Sequence, residues 1–122
     1  MINYFGACAP DNVQVHPLEL RKGRTQVAIY GLGHIRDDRL QREVEAGRAV
    51  WLRAGEQDAD AREDKYVHVG VVHQNRVRHG HGVGHLDSSL LPAWLHVVVW
   101  GHEHDSRPDT ETIGPHAISQ PG

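Results

Sequence analysis

Two short runs, "YVHVGVV" (66–72) and "LHVVVW" (95–100), most constrain what this chain can fold into. Both are β-branched and nearly continuous in apolar character, which is how central strands of a sheet covered on both faces read. Each is followed at once by histidine: His73 after the first, and His102 and His104 of "GHEH" after the second. Ligands of layered α/β folds collect beyond the carboxyl ends of the strands. If the two strands are neighbours, His73 and His102 leave the sheet at one edge. In an extended segment residues two apart point the same way, so His104 can join His102 while Glu103 points elsewhere.

The rest of the chain supplies a frame for such a sheet. "VQVHPLEL" (13–20) and "QVAIYG" (26–31) read as strands joined by a hairpin through "RKGRT". The segment "DDRLQREVEAG" (37–47) changes to helical period, with Leu40 and Val44 on one face, Asp37 or Asp38 as N-terminal cap and Gly47 as the stop. "AVWLR" (49–53) is a further strand, "AGEQDADAREDK" (54–65) a solvated loop, "LDSSLLPAW" (86–94) a helical turn ending before Pro92, and Ala117–Ser119 one more strand. The implied class is α/β, with one structural unit over residues 1–122, a length that allows a single core.

Composition limits the function. With 39% hydrophobic and 24% charged residues and a formal net charge of −3, the surface is not basic throughout, so nucleic-acid contact would have to be local. No run reaches the roughly 20 apolar residues of a membrane helix, and "MINYFGACAPDN" lacks the pattern of a secretory signal. Cys8, the single cysteine, reads as a small packed side chain, and the expectation is an intracellular chain.

Eleven histidines exceed ordinary usage, and most follow position 67. Neutral imidazole is the commonest transition-metal ligand, so His73, His102 and His104 are the candidate metal ligands. His79, His81 and His85 fall in a glycine-rich loop and read as solvent-facing or substrate-contacting. His34, His68, His96 and His116 read as structural or surface residues. Arg76 and Arg78 stand where guanidinium groups would grip phosphate oxygens, or are simply solvated. Asn75 reads as a turn residue or as part of the ligand shell.

Five stretches, "NYFG" (3–6), "VAIYGLGHIRDDRL" (27–40), "VVHQNRVRHG" (71–80), "LPAWLHVVVWGHEH" (91–104) and "ISQPG" (118–122), together resemble the eukaryotic Mre-eleven nucleases. These are the metal-dependent nuclease subunits of the double-strand-break repair complex, within the calcineurin-like metallophosphoesterases. The resemblance implies a partial metallophosphoesterase fold, a β-sandwich flanked by helices and incomplete at both ends. It also implies two Mn²⁺ ions activating water against a DNA phosphodiester, with His73, His102 and His104 as ligands and Asn75, Arg76 and Arg78 beside the substrate. The implied activity is that of a 3′–5′ exonuclease and endonuclease of break repair and meiosis, in the nucleus. DNA, the Rad-fifty ATPase, the third subunit of the complex and a second copy of the chain would be the partners.

The family's earlier motifs have no counterpart before "NYFG": an Asp-x-His, a Gly-Asp with the bridging carboxylate, and an Asn-His-Asp. The chain stops where the family continues into a DNA-contacting capping region. His96, Asp105 and Ser106 depart from the family's usual residues, and "HGHGVGHLDSS" is rewritten. The expectation is therefore a fragment, inactive and marginally stable when isolated. Two other readings stay open: another metallophosphoesterase acting on small phosphate esters, and a truncated segment without catalysis.

Overall fold

The computed structural model describes residues 6–7, 12–57, 64–76 and 84–122. In chain order the elements are β1 (Gln14–Val15), β2 (Pro17–Lys22), β3 (Thr25–Leu32), α1 (Asp37–Glu45), β4 (Val50–Trp51) and β5 (Tyr66–His73). A 3₁₀ turn (Ser88–Leu90), β6 (Val97–Gly101), β7 (Arg107–Ile113) and β8 (His116–Gln120) follow. A six-stranded sheet has the order β2-β3-β5-β6-β8-β7, and β1 and β4 form a separate two-stranded sheet. The described chain is thus a mixed α/β unit with one helix and one principal sheet.

The four central strands, β3, β5, β6 and β8, run parallel, while the edge strands β2 and β7 are antiparallel to their neighbours. Parallel neighbours need a crossover. Between β3 and β5 that crossover contains α1 and β4. Because the central strands share one direction, their carboxyl ends meet at one sheet edge, which determines where the histidines emerge.

The segment 13–20 is not one strand. Val13 and Val15 are fully buried, and β1 pairs in parallel with β4, whereas β2 begins at Pro17 and pairs with β3. The shift of apolar phase from Val13 and Val15 to Leu18 and Leu20 marks this switch of sheets. Pro17, which has no N–H to give a ladder, opens an edge strand, where it is tolerated. The expected hairpin follows, with Lys22 opposite Thr25 and Gly23 at φ +59° in the turn.

The helix lies where its period places it, with Leu40 buried and Val44 packed against the core. Its N-cap, however, is Arg36, which makes no side-chain capping bond, and Asp37 and Asp38 are the first helical residues. Gly47 follows the helix at φ +69°, a left-handed conformation suited to a C-terminal stop. In "AVWLR" only Val50 and Trp51 pair as strand.

The core occupies one face of the main sheet. Ala28, Tyr30, Leu32, Val72, Val98, Trp100 and Ile118 pack there with Val13, Val15 and Leu40, and with Leu86, Leu91 and Leu95 from the connection before β6. The buried Trp100 indole donates its N–H to the Gln74 carbonyl at 2.8 Å. Gly70 leaves room for Leu95, whose Cδ1 would stand 3.1 Å from an added Cβ.

The opposite face corrects an expectation. Val67 is 44% and Val71 36% exposed, so β5 is covered on one face and not on both. Continuous apolar character had implied two covers, but residues 67 and 71 alternate with buried His68, Gly70 and Val72. β7 is a further finding. Its sequence "RPDTETI" carries no apolar alternation, and it forms a polar edge strand joined to β8 by a turn with Gly114 at φ +56°.

Candidate metal centre at the carboxyl edge of the sheet

β5 and β6 pair in parallel with His73 opposite Gly101, so His73 and His102 emerge side by side. His102 Nδ1 and His73 Nε2 are 3.3 Å apart, with ring centroids at 5.0 Å in an edge-to-face arrangement. Gly101 makes this approach possible: a Cβ there would meet His73 Nδ1 at 3.2 Å. His102 itself has φ +78°, the sole positive value of a non-glycine residue among the described residues. Such a conformation is strained by about 1–3 kcal/mol, and strain of this kind clusters at functional sites.

A third ring joins from β3. His34 follows that strand by two residues, its ring centroid lies 6.1 Å from both His73 and His102, and its Nδ1 donates to the His73 carbonyl at 3.4 Å. Sequence reasoning left His34 among structural or surface residues. Its signal was available in "YGLGH", another histidine placed just after an apolar strand.

Asn75 ties the pair to the helix. Its Nδ2 donates to Asp37 Oδ2 at 2.6 Å, and its Oδ1 accepts from His102 Nε2 at 2.9 Å. The backbone beside it is held at both ends. The Asn75 carbonyl accepts from the Leu86 N–H at 2.8 Å, and Glu103 Oε1 accepts from the Arg76 N–H at 2.7 Å. Glu103 is thus turned to the backbone that follows Asn75.

The Arg76 guanidinium, offered by the sequence for phosphate, is engaged within the fold. It pairs with Glu111, donates to Gln120 Oε1 at 2.9 Å and lies over the Trp100 ring at 5.8 Å. Arg107 pairs with the same Glu111, and these two guanidinium groups, Arg107 first, hold its carboxyl below the ordinary range. Arg78, His79 and His81 lie outside the described residues, as does Cys8.

His104 is exposed. The two-residue alternation that would align it with His102 presumes extended backbone, and His102 is left-handed instead. Among the described residues no group of three or more His, Cys, Asp or Glu side chains is arranged to hold a metal ion. The structure brings His73 and His102 together and does not assemble a complete ligand set with His104. Two nitrogens 3.3 Å apart can both touch one ion, since that separation is less than twice an imidazole–metal bond of about 2.1 Å.

The chain is similar to known proteins over its whole length. Over all of its length the chain is 37% identical to "Double-strand break repair protein MRE11" of rice, Oryza sativa subsp. japonica. The chain is a relative of the MRE11 proteins. Human MRE11 is 34% identical over 99% of the chain, and the Caenorhabditis elegans protein mre-11 is 37% identical over 93%. The chain spans between 15% and 18% of the length of these MRE11 relatives. No family model matches it. No helix among the described residues is long and apolar enough to cross a membrane.

Proposed function

We propose that this chain is a segment of a Mn²⁺-dependent DNA nuclease of double-strand-break repair, built on a calcineurin-like metallophosphoesterase fold. The observation that carries the reading is the 3.3 Å approach of His102 Nδ1 to His73 Nε2 at the carboxyl edge of two parallel strands. Similarity to MRE11 over the whole chain supports it. In this reading His73 and His102 are ligands of one ion, His104 serves the second ion of a pair, and carboxylates from outside these 122 residues complete the set. Bound ions would supply Lewis-acid stabilisation and an activated water for in-line displacement at phosphorus.

The chain's own residues prepare that chemistry. Asn75 orients His102, Gly101 admits the His73 ring, and His34 closes one side of the pair. Arg78 meets the DNA backbone, while Arg76 is held within the fold by Glu111 and Gln120. The whole protein acts as a 3′–5′ exonuclease and endonuclease in the nucleus, including in meiosis. It works as a homodimer with the Rad-fifty ATPase and the third subunit of the repair complex.

A chimaera tests this. The 122-residue chain replaces the matching segment of a full-length MRE11 relative, and Mn²⁺-dependent cleavage of linear DNA is measured. Cleavage by the chimaera, its loss with His73→Ala or His102→Ala, and no turnover by the isolated chain are expected. A folded chimaera that cleaves DNA equally well without both histidines overturns the assignment.

A further inference from the structure

We propose that Asp37 is a positioning residue that acts through Asn75 to fix His102 in one tautomer, with the Nδ1 lone pair turned toward His73. A carboxylate can only accept, so Asp37 Oδ2 at 2.6 Å compels the Asn75 amide to present its NH₂ group to the helix. The amide oxygen then faces His102 Nε2 at 2.9 Å, and because that oxygen also only accepts, Nε2 must carry the hydrogen. In a neutral imidazole the other nitrogen is then bare. That nitrogen, Nδ1, is the one 3.3 Å from His73 Nε2. Acid, amide and imidazole thus form a relay in which a residue 65 positions away in sequence decides which ring nitrogen can ligate.

Stability alone does not account for Asp37. It is the first residue of α1, where a carboxylate suits the helix dipole, yet it is 9% exposed, and its Oδ1 meets no hydrogen-bond partner among the described residues. A buried acceptor left unpaired is unfavourable and calls for another reason to be retained. Gly84 packs against Asp37, with its hypothetical Cβ 3.0 Å from the Asp37 Cβ, so the carboxylate is confined to face Asn75.

The inference deepens the metal reading for its consequence, but the tautomer is measured without metal. In ¹⁵N-labelled chain held above the ordinary imidazole pKa of about 6.5, long-range ¹H–¹⁵N spectra should show His102 protonated at Nε2 and bare at Nδ1. Asp37→Ala should give a mixture of tautomers, while Asp38→Ala, on the exposed side of the same turn, should leave His102 unchanged. Asp37→Leu, which fills the volume without an acceptor, is the second route should the alanine variant not fold. Mn²⁺ titration of the chimaera, with broadening of the His73 and His102 ring signals, is the second readout. The response should require about 10-fold or more Mn²⁺ in the Asp37 variants. A wild-type His102 protonated at Nδ1 overturns the proposal. So do averaged tautomers in the wild-type chain, whether from a mobile ring or an unfolded chain, and a fixed tautomer that survives both Asp37 substitutions. A fixed tautomer that relaxes in those variants without any Mn²⁺ broadening supports the relay and overturns the metal reading.

Discussion

His102 Nδ1 stands 3.3 Å from His73 Nε2 because β6 runs parallel to β5 with Gly101 opposite His73, and glycine leaves the space that the His73 ring enters. In the proposed metal reading these are two donors to one ion, and such donors are not independent. His73→Ala and His102→Ala are each expected to remove most Mn²⁺ binding by calorimetric titration of the chimaera, and the double variant to remove little more. Residues in one network couple in this way, whereas separate sites add. Full additivity of the two losses would show that the imidazoles do not share an ion.

Arg76 gives a prediction that separates holding the fold from gripping phosphate. Its guanidinium is engaged by Glu111, Gln120 and the Trp100 face, and its side chain is only 11% exposed. Arg76→Ala is expected to lower unfolding stability by about 1–3 kcal/mol, because partly buried acceptors lose their donor. Urea denaturation reads this directly. Lysine, with a point charge in place of a planar fork, should restore only part of it. Unchanged stability with weakened DNA binding would return Arg76 to a direct phosphate contact.

The parts legible in the sequence were those written in apolar period. β5 and β6 stood out as β-branched runs, α1 as a change to helical spacing, and the histidines as interruptions immediately after strands. What was illegible depended on partners far along the chain. β7 is polar because it is an edge, so only its pairing with β8 reveals it. His16 separates two strands of different sheets, and although the apolar phase shifts there, only the pairing of β1 with β4 and of β2 with β3 shows that the sheet changes. Asp37 looked like a helix cap, and only the fold shows it turned to Asn75 instead. His104 was tied to His102 by an alternation that fails at one left-handed residue.

A second cluster, centred on the buried His68 of β5, sets how stability responds to acid. His68 is fully buried. It accepts at Nδ1 from the Tyr30 hydroxyl at 2.9 Å and donates at Nε2 to Asp64 at 2.9 Å. Arg53 pairs with the same carboxylate at 2.6 Å, and His96 stacks on His68 at 5.5 Å while accepting its backbone N–H. Burial pushes the His68 pKa down, against the opposing pull of Asp64. The folded state therefore binds the His68 proton less readily than the unfolded chain, so stability is full above the ordinary imidazole value of about 6.5 and falls as pH drops below it. Asp64 contributes in the same direction at lower pH. Burial alone would raise its pKa, but the Arg53 guanidinium, the Tyr66 N–H and His68 outweigh that and hold it low. Urea midpoints should decline from pH 7 to pH 5, and His68→Gln should flatten the decline. An unchanged slope in that variant would assign the effect to other groups.

The less covered face of the sheet predicts self-association. Leu20, Val27 and Val67 align across β2, β3 and β5, and Leu20 and Val67 are 49% and 44% exposed. Val67 and Val71 lie on the same face of β5. Exposed apolar strand surface invites association. Val67→Thr keeps the β-branched shape a strand favours while adding a hydroxyl. It is expected to raise the concentration at which light scattering by the isolated chain begins. Onset at the same concentration would place the adhesive surface elsewhere.

The left-handed backbone at His102 yields a prediction in which stability and function part. For an L-residue this conformation costs roughly 1–2 kcal/mol relative to right-handed backbone, and glycine is exempt because it has no Cβ. His102→Ala removes the imidazole but keeps the strain, whereas His102→Gly removes both. The glycine variant should therefore be more stable than the alanine variant, by up to about 1 kcal/mol after allowing for the extra freedom glycine gains when unfolded. Both should be equally unable to support Mn²⁺ binding. Paired urea melts and Mn²⁺ titrations of the two variants decide it. If alanine proves the more stable, the backbone at 102 is not held in this strained form, and Asn75 and His73 must meet the His102 ring along a different path.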